Sequence, residues 1–237
     1  GAKGTPLFTT EVQLRDLSKG YYAYTGDVKH KQVILTFDDG PDGNYTPIIL
    51  KALRESGVRA IFFHCGNRVD ARPDLVQAVA KDGHSIGSHT YSHSYVGPYE
   101  KCGGDDCRNH WLNTERAIAA MRKGHESIVN AIGWVDPFFR FPYGAHTAEL
   151  RQFLKDNETG EFFWSVDSLD WKAGSTNLQT INSVISQLEV KQRGIILFHD
   201  VQRKTAEILP QILRELYDRG YQPVVLQSAD SEARTNS

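Results

Sequence analysis

The stretch Val33-Ile34-Leu35-Thr36-Phe37-Asp38-Asp39-Gly40-Pro41 carries the reading of the fold. Residues 33–37 are apolar or β-branched with no polar position alternating among them. A strand of that kind is covered on both faces, as in a parallel sheet. It stops at two carboxylates and a Gly-Pro turn. The same pattern recurs, predicting further strands over 60–64, 85–89, 138–141, 162–166, 195–199 and 223–226.

Helical periodicity fills the intervals. A helix over 46–55 has Pro47 near its start and Gly57 just past its end, and one over 73–81 stops at Gly83. A third is predicted over 109–123, ending at Gly124, with Trp111, Ile118 and Met121 on one stripe. Others follow over 147–157, 178–192 and 205–219, the last with Pro210 as an expected bend. Strands alternating with helices imply right-handed crossovers and a parallel sheet. The expected fold is α/β: a distorted, incompletely closed (β/α) barrel with about seven parallel strands. An open doubly wound sheet is the competing architecture.

The chain has 237 residues, 40% hydrophobic and 24% charged. That excludes a disordered chain, a collagen-like chain and a small disulfide scaffold. Lys+Arg 27 against Asp+Glu 29 leaves a net charge of −2, so no global basic field for nucleic acid or anionic membrane is expected. No apolar run approaches the ~18 residues of a membrane-spanning helix. The first residues, Gly1-Ala2-Lys3-Gly4, lack the apolar core of a signal peptide, and fit either a mature end after cleavage or a cloning scar. Residues 1–30 read as an extension packed on the barrel, ordered by Tyr21, Tyr22 and Tyr24, and 228–237 as a polar tail.

Of three cysteines, Cys65 reads as a small core residue. Cys102 and Cys107 close the loop CGGDDC, whose two glycines allow a bridge in an oxidising compartment; a pair of reduced surface thiols is the alternative.

The reactive residues gather at strand ends. Asp38 and Asp39 follow the first strand, His89 ends the third with His93 four residues on, and Arg140 sits in the fourth. Asp167, Asp170 and Trp171 follow the fifth, and His199 and Asp200 end the sixth. That edge is where parallel α/β folds build active sites. Singly, each has a plainer reading: Asp38-Asp39-Gly40-Pro41 as a capped turn, His89 and His93 as surface residues, His199 as a packed histidine. Arg140 among Phe138, Phe139 and Phe141 resists one, because a charge there needs a carboxylate partner. Two imidazoles and a carboxylate make a facial set for Zn²⁺ or non-haem Fe(II). A second carboxylate beside it can act as a base, and a histidine opposite as an acid.

Five motifs stand in order: Thr36-Phe37-Asp38-Asp39-Gly40, His89-Thr90-Tyr91-Ser92-His93, Arg140-Phe141-Pro142-Tyr143-Gly144, Asp167-Ser168-Leu169-Asp170-Trp171 and Leu197-Phe198-His199. In these the chain resembles the polysaccharide deacetylases of carbohydrate esterase family 4, the NodB-homology deacetylases. The resemblance spans 31–226 and implies one catalytic domain over 31–227. It implies Asp39, His89 and His93 as ligands of one divalent metal, zinc first, with Co²⁺, Ni²⁺ or Mn²⁺ as alternatives. It implies Asp38 as the base acting on the attacking water, held ionised by Arg140, and His199 as the acid, oriented by Asp170. Leu197 and Trp171 would line the acetyl pocket, and the Tyr143 backbone N–H would meet the oxyanion. The expected substrate is the N-acetyl group of N-acetylglucosamine in peptidoglycan or a chitin-type glycan, acted on by a monomer outside the cytoplasm, secreted, periplasmic or at the cell wall.

Three alternatives stay open: an O-acetyl (xylan-type) esterase, a non-catalytic glycan-binding module, and an Fe(II) oxygenase, which the non-β periodicity disfavours. The polar segment 94–108 reads as one wall of the cleft. Trp171, and less so Tyr95 and Tyr99, are candidates for stacking on sugar.

Overall fold

Along β3 (Gln32–Asp38) the side chains divide between two cores. Val33, Leu35 and Phe37 pack outward against helices, while Ile34 points into the barrel with Ile61, Phe63, Phe138, Phe162 and Ile195. The strand is buried on both faces, which is why it carries no polar alternation. The computed structural model describes residues 4–17, 22–23 and 28–228.

Before β3 lie β1 (Glu11–Arg15) and β2 (Tyr22–Ala23). After it come α1 (Thr46–Ser56), β4 (Ile61–His64), α2 (Gly66–Ala71), α3 (Pro73–Lys81), β5 (Ser85–Ser88), α4 (Asp105–Asn109), α5 (Thr114–Ile132) and β6 (Phe138–Phe139). The rest is α6 (Ala148–Asp156), β7 (Gly160–Phe162), β8 (Val166–Asp167), α7 (Asn177–Lys191), β9 (Gly194–His199), α8 (Arg203–Asp218) and β10 (Gln222–Ser228).

Seven strands in the order β8-β9-β3-β4-β5-β6-β7, all parallel, form the incompletely closed barrel. Among the described residues β7 and β8 do not pair, which leaves the barrel open. β10 pairs with the start of β3 (Pro223 opposite Val33) and places Val224, Val225 and Leu226 in the barrel core. β1 extends β10 in parallel, and β2 pairs with β7. No helix of the described residues is long and apolar enough to cross a membrane.

Three local expectations change. The run 162–166 is two strands: β7 ends at Phe162, and β8 begins at Val166, past a stacked Phe163–Trp164 pair. The strand expected over 138–141 is confined to Phe138–Phe139; the Arg140 N–H still donates to the Ser88 carbonyl at 3.2 Å, and Phe141 leads into the turn Pro142–Gly144. The helix expected over 109–123 starts instead at Thr114, where the Asn113 side chain accepts the Arg116 N–H at 2.9 Å, so Trp111 lies outside it. That helix runs through Gly124, which is no stop signal. A Cβ on Gly124 would lie 2.5 Å from the Thr90 carbonyl oxygen, so the glycine lets α5 approach the His89–His93 loop. Pro210 lies within an unbroken α8.

In segment 94–113 a disulfide joins Cys102 and Cys107, whose Cα atoms are 5.5 Å apart. Its ends are tied where the Tyr95 N–H donates to the His110 carbonyl (3.1 Å) and the Leu112 N–H to the Tyr95 carbonyl (2.9 Å). Cys65 is free and buried. Tyr21, Tyr24 and the tail 229–237 lie outside the described residues, whereas Ser228 closes β10.

Candidate active site

The C-terminal ends of the strands open into a cavity of about 510 Å³. Asp38, Asp39, His89, His93, Phe141, Tyr143, Trp164, Asp167, Trp171, Leu197 and His199 line it. The inward parity of β3 and β9 explains part of this set. Asp38 continues the face of Ile34, and Leu197 and His199 continue the face of Ile195.

Asp38 is buried, and its Oδ1 lies 2.8 Å from Nη1 of the fully buried Arg140. Nη1 also donates to Thr36 Oγ1 (2.7 Å) and Nη2 to the Phe163 carbonyl (2.9 Å), while the guanidinium stacks 4.5 Å from the Phe63 ring centre. The break between β7 and β8 thus exposes a backbone acceptor that fixes Arg140. The remaining Asp38 oxygen, Oδ2, lies 3.7 Å from His89 Nε2.

Asp39 adopts a positive φ of 78°, a conformation that costs an aspartate of order 1–3 kcal/mol and turns its carboxylate toward the histidines. Its Oδ1 is 3.3 Å from His89 Nε2 and 3.2 Å from His93 Nε2. His89 Nδ1 lies 2.6 Å from the Arg140 carbonyl, which can only accept, so this nitrogen carries the proton. His93 also has positive φ, and its backbone N–H donates to Thr90 Oγ1 at 3.1 Å. Three ligand atoms therefore lie within 4.8 Å of one another, and Asp39 Oδ1 is buried with no hydrogen-bond partner. An orphaned carboxylate oxygen facing two imidazole nitrogens fits a divalent cation bound by N and O ligands.

Burial pushes Asp39 up, but contact with His89 and the charges of His93, His89 and His199 outweigh it and hold the carboxyl well below its usual range. Burial and the neighbouring His89 push His93 down to about 4, so its lone pair is available at neutral pH. For His89, burial is outweighed by Asp38 and Asp39, which raise it.

On the opposite wall His199 Nδ1 is 2.7 Å from Asp170 Oδ1, and the His199 backbone N–H donates to Asp170 Oδ2 at 2.7 Å. Thr205 Oγ1 also donates to that oxygen. Burial lowers the imidazole, but the bond to Asp170 and the charges of Asp170, Asp39 and Asp38 outweigh it and raise His199 to about 9. Tyr143 (φ 60°) and Trp171 are exposed at the rim, and the Tyr143 ring lies 4.7 Å from that of His93. Tyr95 reaches the rim too, 6.1 Å from Tyr143, but Tyr99 packs on Trp111 at 5.0 Å.

Sequence reasoning left two residues without a role. Asp167 lines the cavity, and burial raises its pKa. Asp200, next to His199, is fully buried beneath the Asp38–Gly40 turn. A buried acid beside a strand-end histidine was the available signal; its partners were not.

The family model described as polysaccharide deacetylase matches residues 25–160. A peptidoglycan-N-acetylglucosamine deacetylase of Bacillus cereus is 32% identical over 216 residues, covering 90% of this chain and 73% of that protein. A peptidoglycan-N-acetylmuramic acid deacetylase of Bacillus subtilis is 30% identical over 207 residues, covering 87% of this chain and 40% of its own length. The solved structure of a Bdellovibrio bacteriovorus peptidoglycan deacetylase superposes with a TM-score of 0.86 at 45% identity, over 99% of this chain and 63% of that one.

Proposed function

Because this chain belongs to the polysaccharide deacetylase family, we propose that it hydrolyses the N-acetyl group of N-acetylglucosamine residues in peptidoglycan. The observation that carries the reading is the meeting, in one cavity, of the Asp38–Arg140 pair, the Asp39/His89/His93 set and the His199–Asp170 pair. Asp39, His89 and His93 would hold a divalent cation, zinc first, which when bound would supply Lewis acidity to the reaction.

The chain's own residues do the rest. Asp38 takes the proton of the water as its oxygen attacks the acetyl carbon. Arg140 pairs with that carboxylate at 2.8 Å and aims it. We assign the Tyr143 backbone N–H to the developing oxyanion, the kind of fixed donor that contributes heavily to acyl-transfer catalysis. Protonated His199 then gives its Nε2 proton to the nitrogen as the C–N bond breaks, releasing acetate and a free amine. Leu197 and Trp164 offer an apolar wall to the acetyl methyl, and the exposed faces of Trp171 and Tyr143 a platform for the sugar ring. Peptidoglycan lies outside the cytoplasmic membrane, so we place the working enzyme in the periplasm or at the cell wall; cell fractionation tests this.

The deciding experiment measures acetate release from peptidoglycan, from N-acetylglucosamine oligomers and from O-acetylated xylan, first with metal stripped and then with Zn²⁺ restored. The reading expects release that depends on metal and favours peptidoglycan. Preference for the oligomers would point to a chitin-type substrate, and release only from O-acetylated xylan to an esterase. Glycan binding without any release would make the chain a binding module.

A further inference from the structure

Asp200 is the most thoroughly buried carboxylate near the site, with no exposed surface, and it touches none of the atoms assigned to catalysis. Its Oδ1 accepts the Gly40 backbone N–H at 3.1 Å. Its Oδ2 accepts from Thr46 Oγ1 at 2.7 Å. The Thr46 hydroxyl in turn accepts the Asp42 backbone N–H at 2.8 Å. The Asp200 backbone N–H donates to the Asp38 carbonyl at 3.3 Å. One residue just past β9 thus holds the segment from Asp38 to the first turn of α1 at several points.

That segment is under strain. Asp39 sits between Asp38 and Gly40 at φ 78°, a conformation that persists only where the surroundings enforce it. The fit leaves no slack: a Cβ on Gly40 would fall 2.1 Å from Asp200 Oδ2, so the carboxylate occupies the space of the missing side chain. If the Gly40 amide were not held, Asp39 could relax toward negative φ and swing Oδ1 away from His89 and His93. Because Asp200 directly follows His199, the same strand end carries both the proton donor and this clamp.

We propose that Asp200 is a positioning residue for the metal-ligating carboxylate: its hydrogen bonds to Gly40 and Thr46 hold Asp39 in the left-handed conformation that aims Oδ1 at His89 and His93. The role rests on the metal-dependent reading above. It requires the two hydrogen bonds rather than the negative charge. Asparagine keeps an acceptor for Gly40 and can retain the Thr46 contact with its direction reversed, Nδ2 donating to Oγ1; it should therefore substitute, and alanine should not.

The test is Co²⁺ titration of the full chain, read by the visible absorption of the bound ion, beside thermal unfolding of each metal-free variant. Asp200→Ala is expected to weaken Co²⁺ binding by about 10–100-fold and to alter the absorption envelope, as loss of outer-sphere partners does elsewhere. Asp200→Asn is expected to stay within about threefold of the parent with the same envelope, a rescue that general destabilisation would not produce. Thr46→Val, which removes one of the two bonds, should fall between them. It also serves if the alanine chain does not fold.

Unchanged affinity and envelope in a folded Asp200→Ala or in Thr46→Val would overturn the role. So would an Asp200→Asn loss as large as the alanine loss, since charge and not position would then be what matters. A parent chain that binds no Co²⁺ would remove the metal reading and this role together. A parent that binds Co²⁺ but releases no acetate would remove the deacetylase reading and leave this one standing.

Discussion

Asp38 Oδ1 and Arg140 Nη1 lie 2.8 Å apart, with both side chains buried in the barrel mouth. The pair is costly to break from one side, because the survivor is left as an unpaired charge in a dry site. Arg140→Leu is therefore expected to destabilise the chain by about 3–5 kcal/mol, read by urea unfolding at pH 7. A cost below about 1 kcal/mol would mean that the pair is solvated.

Asp38→Asn preserves shape and removes the proposed base. Acetate release should fall by roughly 10²–10⁴-fold while Co²⁺ still binds. Retained turnover would assign the base elsewhere, with Asp167, the other cavity carboxylate not assigned to metal, as the next candidate.

His93→Ala removes a proposed direct ligand, so its metal affinity should fall by more than the roughly 10–100-fold that outer partners cost. Equilibrium dialysis with Zn²⁺ checks it, and unchanged stoichiometry and affinity would unseat the Asp39/His89/His93 set.

The Asp170 contact governs pH behaviour on the alkaline side. His199 is raised from 6.5 to about 9, so the stability of the pair is fully present below 6.5 and lost as pH rises through about 9. Asp170→Asn removes the chief cause of the rise. The alkaline limb of the kcat profile should then move to lower pH, and an unmoved limb would show that another group sets it.

On the acid side burial acts in the opposite sense. It depresses His64 and His84 from 6.5 to about 3, so both stay neutral inside the fold. The stability they lend is present above 6.5 and lost as pH falls toward 3. Burial raises Asp200 to about 7, which with His199 raised to about 9 works against this trend, while His93, pushed down to about 4, adds to it as a further depressed ring. The melting temperature of the metal-free chain should fall steadily from pH 7 to pH 5, and a flat profile would contradict neutral burial of these rings.

The barrel was legible because its strands are short runs covered on both faces, as in 33–37 and 195–199, and because reactive residues follow them. Two features were not. A run such as 162–166 looks the same whether it is one strand or two; in the structure it breaks at Phe163–Trp164, where the Phe163 carbonyl accepts from Arg140 Nη2. Gly124 carries the local signature of a helix end, yet it lies inside α5 because that helix must approach Thr90 closely.

By itself the sequence determined which segments are buried, that the sheet is parallel, and which chemically capable side chains stand at its C-terminal edge. These follow from local periodicity and from the residue types at each strand end. Only the tertiary structure decided which atoms meet. Arg140 reaches Asp38 across 102 residues, and Asp200 reaches Gly40 across 160. Contacts over such separations depend on the register of β3 against β9 and on the order β3-β4-β5-β6 across the barrel. Neither leaves a trace in the periodicity of the segments that it joins.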